Sequence, residues 1–70
     1  MTYDAEANAA MIYLKGHIAA GESMRQQMIP LQGAEIVLDF DADDLLLGIE
    51  VIGAREAIPA EVLGAAEQIG

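Results

Sequence analysis

Seventy residues without a cysteine allow one small domain, with neither disulfides nor thiolate metal sites to hold it together. The 54% hydrophobic content is more than so short a chain easily encloses, which predicts a homodimer or larger oligomer as the remaining source of stability. A net charge of −9 repels phosphate backbones and anionic lipid alike, so neither nucleic acid nor a membrane surface is an expected partner.

The charge is lopsided. Residues 1–32 set Asp4, Glu6 and Glu22 against Lys15 and Arg25, whereas residues 33–70 set nine acids against Arg55 alone. Such a half is either a solvated face or a surface for a basic protein. No apolar run approaches the ~18 residues of a membrane helix, and the N-terminus lacks the basic and apolar regions of a signal peptide. The expected location is cytoplasmic.

Taken in chain order, the pattern is mostly period two, which predicts strands. "TYD" opens with β-formers, and Asp4–Asn8 reads as a turn or a single helical turn, with Asp4 accepting backbone N–H bonds in it. In "AAMIYLKG", Ala10, Ile12 and Leu14 share one face while Met11, Tyr13 and Lys15 share the other. Gly16, His17 and Gly21 punctuate the residues after this strand. "ESMRQQMIPL" fits two patterns, because Met24 and Met28 have helical spacing while Met24, Gln26 and Met28 also alternate. The strand reading is adopted, with Pro30 closing it and Gln32-Gly33 turning the chain.

"EIVLDF" is a half-buried strand, Ile36, Leu38 and Phe40 alternating with Glu35, Val37 and Asp39. "LLLGIEVI" is apolar in both registers: Leu45, Leu47, Ile49 and Val51 in one, Leu46 and Ile52 around Gly48 and Glu50 in the other. That pattern suits a central strand, or one whose second face meets another subunit. Pro59 suits the first turn of a helix, and Glu61 favours its dipole. Ile58, Val62, Ala66 and Ile69 then form one apolar stripe, interrupted by Gly64, which weakens a helix by about 1 kcal/mol relative to Ala.

The stretch "DFDADDLLLGIE" places Asp39, Asp41, Asp43 and Glu50 at the first, third, fifth and twelfth positions of an EF-hand loop. The sixth position, which the calcium loop requires to be glycine, is Asp44, and both flanks are β-like rather than helical. Asp41-Ala42-Asp43-Asp44 between two apolar runs is a β-hairpin loop, and a type I turn with a G1 bulge would put Asp44 at positive φ. Calcium binding no tighter than about millimolar is the expectation for such an open cluster.

Other candidates are weaker. His17 is the single histidine and has no ligand partner nearby in sequence; Ser23 and Thr2 are the single serine and threonine, so no nucleophilic triad is indicated. Asp4 and Glu6 have the spacing for paired carboxylates, but the turn explains them. Lys15 is preceded by no glycine-rich phosphate loop. No catalytic, cofactor-binding or metal residues are therefore assigned, and no enzyme activity is expected.

Two segments carry a resemblance. "YDAEANAAMIYL" resembles the opening Y-D-x-E-A-D-A-x-Y-I-x-L of the bacterial domain-of-unknown-function 2283 family. "DFDADDLLLGIEVIGA" resembles its second signature, D-x-D-x-x-G-x-x-x-G-I-E-I-L-x-A-S. Tyr3, Asp4, Glu6, Ala7, Ala9, Ile12 and Leu14 match the first, and Asp39, Asp41, Gly48, Ile49, Glu50 and Ala54 the second. The departures are Asn8 for an acid, Met11 for an aromatic, Asp44 for the turn glycine and Arg55 for a small hydroxyl residue. "IPAEVL" is similar to the proline-led helix of many members. The resemblance implies a small antiparallel β-meander with a C-terminal helix and brings no catalytic residue with it.

These readings converge on one α+β domain over residues 1–70: an antiparallel meander of four or five short strands over about 2–52, and one helix over about 59–69. The expected role is a non-enzymatic homodimeric interaction module, in one version an antitoxin-like neutraliser of a basic ribonuclease. The alternative is a binder of a small ligand or divalent metal through Asp4, Glu6, Glu50 and the Asp39–Asp44 cluster.

Overall fold

In the computed structural model, which describes residues 1–70, the turn over Ala5–Asn8 folds β1 (Thr2–Asp4) antiparallel onto β2 (Ala9–Tyr13). The Asp4 carboxylate accepts the Ala7 N–H at 3.1 Å, the bond expected of an Asx residue at a turn. The second local unit is formed by β3 (Arg25–Leu31), β4 (Ala34–Phe40) and β5 (Leu46–Ile52), which run up and down in sequence order. "ESMRQQMIPL" is thus a strand from Arg25, and it runs one residue past Pro30. Proline is tolerated because β3 lies at the sheet edge, where an N–H is dispensable.

The two units join where β2 pairs with β5, from Ala9↔Ile52 to Tyr13↔Gly48. The order β3-β4-β5-β2-β1-β6 therefore corrects the expected meander: β2 sits beside β5, and residues 14–24 cross to the far edge in a Greek-key connection. β5, apolar in both registers, is interior to the sheet as its composition requires.

The single helix is also corrected. Two short helices occur, α1 (Ala54–Ala57) and α2 (Ala60–Ala65), and the chain then extends into β6 (Glu67–Gln68), a sixth strand parallel to β1 that makes the sheet mixed. The free edge of β1 outcompetes further helix: Glu67 N–H donates to Met1 O and Ile69 N–H to Tyr3 O, both at 2.9 Å. Gln68 supports the helix end, its Nε2 donating to the Ala66 carbonyl and to the Leu63 carbonyl, which also accepts the Ala66 N–H. The buried helical residue is Leu63 rather than a member of the predicted stripe; Ile58 and Ala66 are half-buried beside it, while Val62 and Ile69 stay 43% and 57% exposed.

α1 begins at Gly53, whose φ is 77°, and its cap comes from a distance. Asn8, itself left-handed at φ 53°, accepts the Arg55 N–H on Oδ1 and the Gly53 and Ala54 N–H groups on its carbonyl. Arg55 in turn donates from Nη1 to the Tyr3 hydroxyl and the Ala5 carbonyl, both at 3.1 Å. Asn8 and Arg55, two of the departures from the resembled pattern, thus meet at one corner of the fold.

Side chains alternate across the sheet, so the register defines two faces. On one, Tyr3, Ala10 and Val51 lie in a row and pack under Ala54 and Leu63; this is the main core cluster. The same face continues past the helices through Ile12, Ile49, Ile36, Leu38, Ile29 and Leu31, none of which is buried. No helix is long and apolar enough to cross a membrane.

The acidic hairpin forms as the sequence indicates. Asp44 N–H donates to Asp41 O at 3.0 Å, Asp41 N–H to Leu45 O at 2.9 Å, and the Asp41 side chain accepts from Asp43 and Leu45 N–H. Asp44 has φ 65°, the left-handed residue of a type I turn with a G1 bulge. Its exposed ion pair with Arg25, at 2.7 Å, is worth only a few tenths of a kcal/mol. Glycine relieves the left-handed strain by about 1 kcal/mol but has more freedom in the unfolded chain, which costs about 0.5–1 kcal/mol. Asp44→Gly is therefore expected to be neutral to about 1 kcal/mol stabilising, measured by denaturant melts at matched protein concentration; a clear loss would mean the turn strain is not there.

Candidate functional site

The opposite face of the sheet is built on a missing side chain. Gly48 of β5 lies opposite Asp39 of β4 and Tyr13 of β2. A methyl group at Gly48 would stand 2.7 Å from the Met11 Cε, 2.9 Å from the Ile12 carbonyl oxygen and 3.2 Å from the Ile18 Cδ1. Only glycine leaves room for the crossing segment to press Ile18 onto the strand. A β-bulge just beside it, where Phe40 pairs with Leu46, leaves Leu47 outside the ladder with β4. Its carbonyl accepts the Leu14 and Lys15 N–H groups, which root the crossing segment.

A groove of ≈ 450 Å³ runs across this face, with Met11, Ile18 and Ile69 among its apolar walls and Asp4, Asp39 and Glu50 as its acids. Asp39 is only 4% exposed, unusual for a carboxylate, and its burial is balanced by donors. Ser23 Oγ donates to its Oδ1 at 3.1 Å and Gln26 Nε2 at 2.7 Å. Glu50 is opposite Met11 on one side and Val37 on the other, so it is Asp39's diagonal neighbour on the same face. The register sets the two carboxyls side by side on this face, where a proton on one can be donated to the other.

The environments separate the pair. Glu50 is pushed up to about 7, first by its hydrogen bond to Asp39, then by desolvation between apolar neighbours and by the Asp39 charge. For Asp39, burial works upward, but the hydrogen bonds from Gln26, Glu50 and Ser23 together outweigh it and hold the carboxyl below its usual range. At neutral pH this is a carboxylate beside a half-protonated acid, a group able to accept hydrogen bonds and to exchange a proton.

The sequence-predicted acids are only partly brought together. Asp39 and Glu50, the first and last positions of the calcium-loop spacing, do meet, but as diagonal neighbours on paired strands. Asp41, Asp43 and Asp44 belong to the hairpin loop, Asp4 lies along the groove, and Glu6 is exposed in the β1–β2 turn. No group of three or more histidine, cysteine or acidic residues is arranged to hold a metal ion. Gln26, Met11 and Ile18 are not marked by any sequence motif, and Ser23 is weighed only as a nucleophile, since these residues converge from separate segments. The available signal was Glu50 itself, an acid inside "LLLGIEVI".

The crossing segment carries the remaining charges near the groove. Lys15 and Glu22 form an ion pair, and the Lys15 ammonium holds the Glu22 carboxyl below its ordinary value. Glu22 also accepts the Ala19 N–H at 2.8 Å. His17 is exposed.

A family model described as protein of unknown function (DUF2283) matches residues 1–55. No curated protein and no solved structure matches the chain.

Folded Glu50 binds its proton more tightly than the unfolded chain does. Its contribution is therefore whole below 4.5, the unfolded value, and is lost as pH rises through about 7. Asp39 acts in the other sense: its contribution is present above 3.8 and is lost as pH falls through its lowered folded value. Chemical melts across this range are expected to show stability falling from pH ~5 to ~8, with a shallower slope in Glu50→Gln, which cannot lose the proton. Equal slopes in the two proteins would show that the pair does not share one.

Proposed function

Because the chain belongs to the DUF2283 family, which its match over residues 1–55 establishes, we propose a function that rests on the sheet those residues build: a non-enzymatic protein-interaction module, acting as a homodimer in the cytoplasm. The observation that carries the reading is the half of the helix-side face that no helix covers. Ile12, Ile36, Leu38 and Ile49 are half-buried there, and Ile29 and Leu31 are 39% and 44% exposed on the edge strand. A contiguous aliphatic surface of this kind on so small a chain marks an interface.

A second copy suits the face because a two-fold arrangement presents identical aliphatic rows to each other, and the acids of the hairpin stay at the rim. The acidic surface left outside such a dimer is then available to a basic protein, the antitoxin-like version of the same reading.

A second reading is favoured by the groove. Asp4, Asp39 and Glu50 along one apolar-walled cleft form the kind of surface that accepts a small cationic ligand, by size and by convergent polar groups.

Light scattering at micromolar concentration is expected to give twice the 7.4 kDa chain mass. Ile29→Lys, which places a charge on the edge of the face without touching the core, should weaken association by about tenfold or more. A constant mass of 7.4 kDa would overturn the dimer. Calorimetric titration with calcium and with a short aliphatic diamine addresses the second reading. Binding no tighter than about millimolar is expected; one micromolar site per chain, abolished in Glu50→Gln, would put the ligand first.

A further inference from the structure

The segment Leu14–Met24 is fastened to the sheet mainly at its ends. Leu14 and Lys15 N–H donate to Leu47 O at 3.0 and 3.1 Å, and Met24 N–H to Phe40 O at 2.8 Å. Between these roots it is tied chiefly to itself, through the Lys15–Glu22 pair and the Ala19–Glu22 turn. Its one side-chain hydrogen bond to the sheet is Ser23 to Asp39, and its apolar hold is Ile18 over Gly48. Both holds sit beside the carboxyl pair. We propose that Asp39 and Glu50 form a proton-operated latch for this strap: with one proton shared between them it lies closed over Gly48, and with none it lifts and opens the groove.

The mechanism comes from where a second negative charge would have to go. Asp39 is buried and holds Ser23 and Gln26 on the same oxygen. Glu50 is flanked by Met11 and Val37, which offer it no donor. When the shared proton leaves, two carboxylates face each other in a poorly solvated site. Either Glu50 swings outward to water past Ile18, or Asp39 turns away from Ser23. Each movement releases one of the strap's two holds.

No cation is placed to absorb the second charge. From β1 the groove receives Asp4, and from β2 Tyr13; β3 contributes only the uncharged Gln26. On the strap, Lys15 is engaged by Glu22, and His17 is exposed. Arg25 is held on the opposite face, its Nε on Asp44 and its guanidinium 4.1 Å from the centre of the Phe40 ring. The shift of Glu50 to about 7 puts the transition close to neutrality.

The strap and the proposed dimer face lie on opposite sides of the sheet, so the latch stands independently of the dimer. Nuclear magnetic resonance of the full chain, at a concentration where its mass is constant, tests it by titration from about pH 5 to about pH 9. The amide signals of Ile18, Ser23 and Gly48 are expected to move together, with the midpoint of the Glu50 carboxyl itself. In Glu50→Gln those signals should keep their acid positions throughout, and His17→Asn should leave the transition in place. Ser23→Ala keeps the carboxyl pair and removes one hold, so its Ile18 and Gly48 signals should be displaced towards the open form already at acid pH. The proposal is overturned if Glu50 titrates near its ordinary value. It also fails if Glu50 titrates near neutrality while the strap signals stay still, or if the strap transition survives in Glu50→Gln.

Discussion

The row Tyr3–Ala10–Val51 is the contact on which the rest of the molecule depends. It draws one residue from each of three strands, and it is where Ala54 and Leu63 find something to pack against. Two short helices have no stability of their own, since helices below about 12 residues are marginal in water, so α1 and α2 exist because that row is there to cover. Their placement in turn brings the chain back to β1 and permits β6. The far ends of β3 and β4 lie beyond the reach of this cluster, which is why apolar residues remain uncovered on that side.

The two faces therefore have different characters for a common reason. Where the helices sit, the sheet is closed by burial; where they stop, it is left aliphatic. On the reverse side, the missing side chain at Gly48 and the bulge at Leu47 give the crossing segment a seat, and the segment then shields Asp39. Shielding is what makes an acid pair possible at all, because two exposed carboxyls on neighbouring strands would both ionise and repel at little cost. The donors Ser23 and Gln26 fix which of the two keeps the charge.

How much of this was legible in the sequence depends on the range over which each feature is decided. "EIVLDF", "LLLGIEVI" and the hairpin between them were readable because period-two alternation and turn chemistry act over a few residues. The left-handed Asp44 came from the same local logic. The C-terminal helix was overextended because Ile58, Val62, Ala66 and Ile69 satisfy helical spacing, while the competing partner, the open edge of β1, lies at the other end of the sequence. The sheet order is not written in the sequence for a similar reason, as nothing near residues 9–13 states that their neighbour is 48–52. At the site, Asp39 and Glu50 fit a calcium-loop spacing that the hairpin does not use; their meeting depends on the exact β4–β5 register, which the bulge beside Gly48 shifts by one residue.

The seam between β2 and β5 also sets the order in which the chain can organise itself. β1 with β2, and β3 through β5, are two units whose pairings are local in sequence, and each closes short loops at small entropic cost. Ala9↔Ile52 must wait until β5 exists, and it closes a loop spanning most of the chain. Met11, Ile12 and Tyr13 have no partner on that side during the interval. The core row is therefore completed in that step, after the β4–β5 pairing has already set Asp39 and Glu50 side by side.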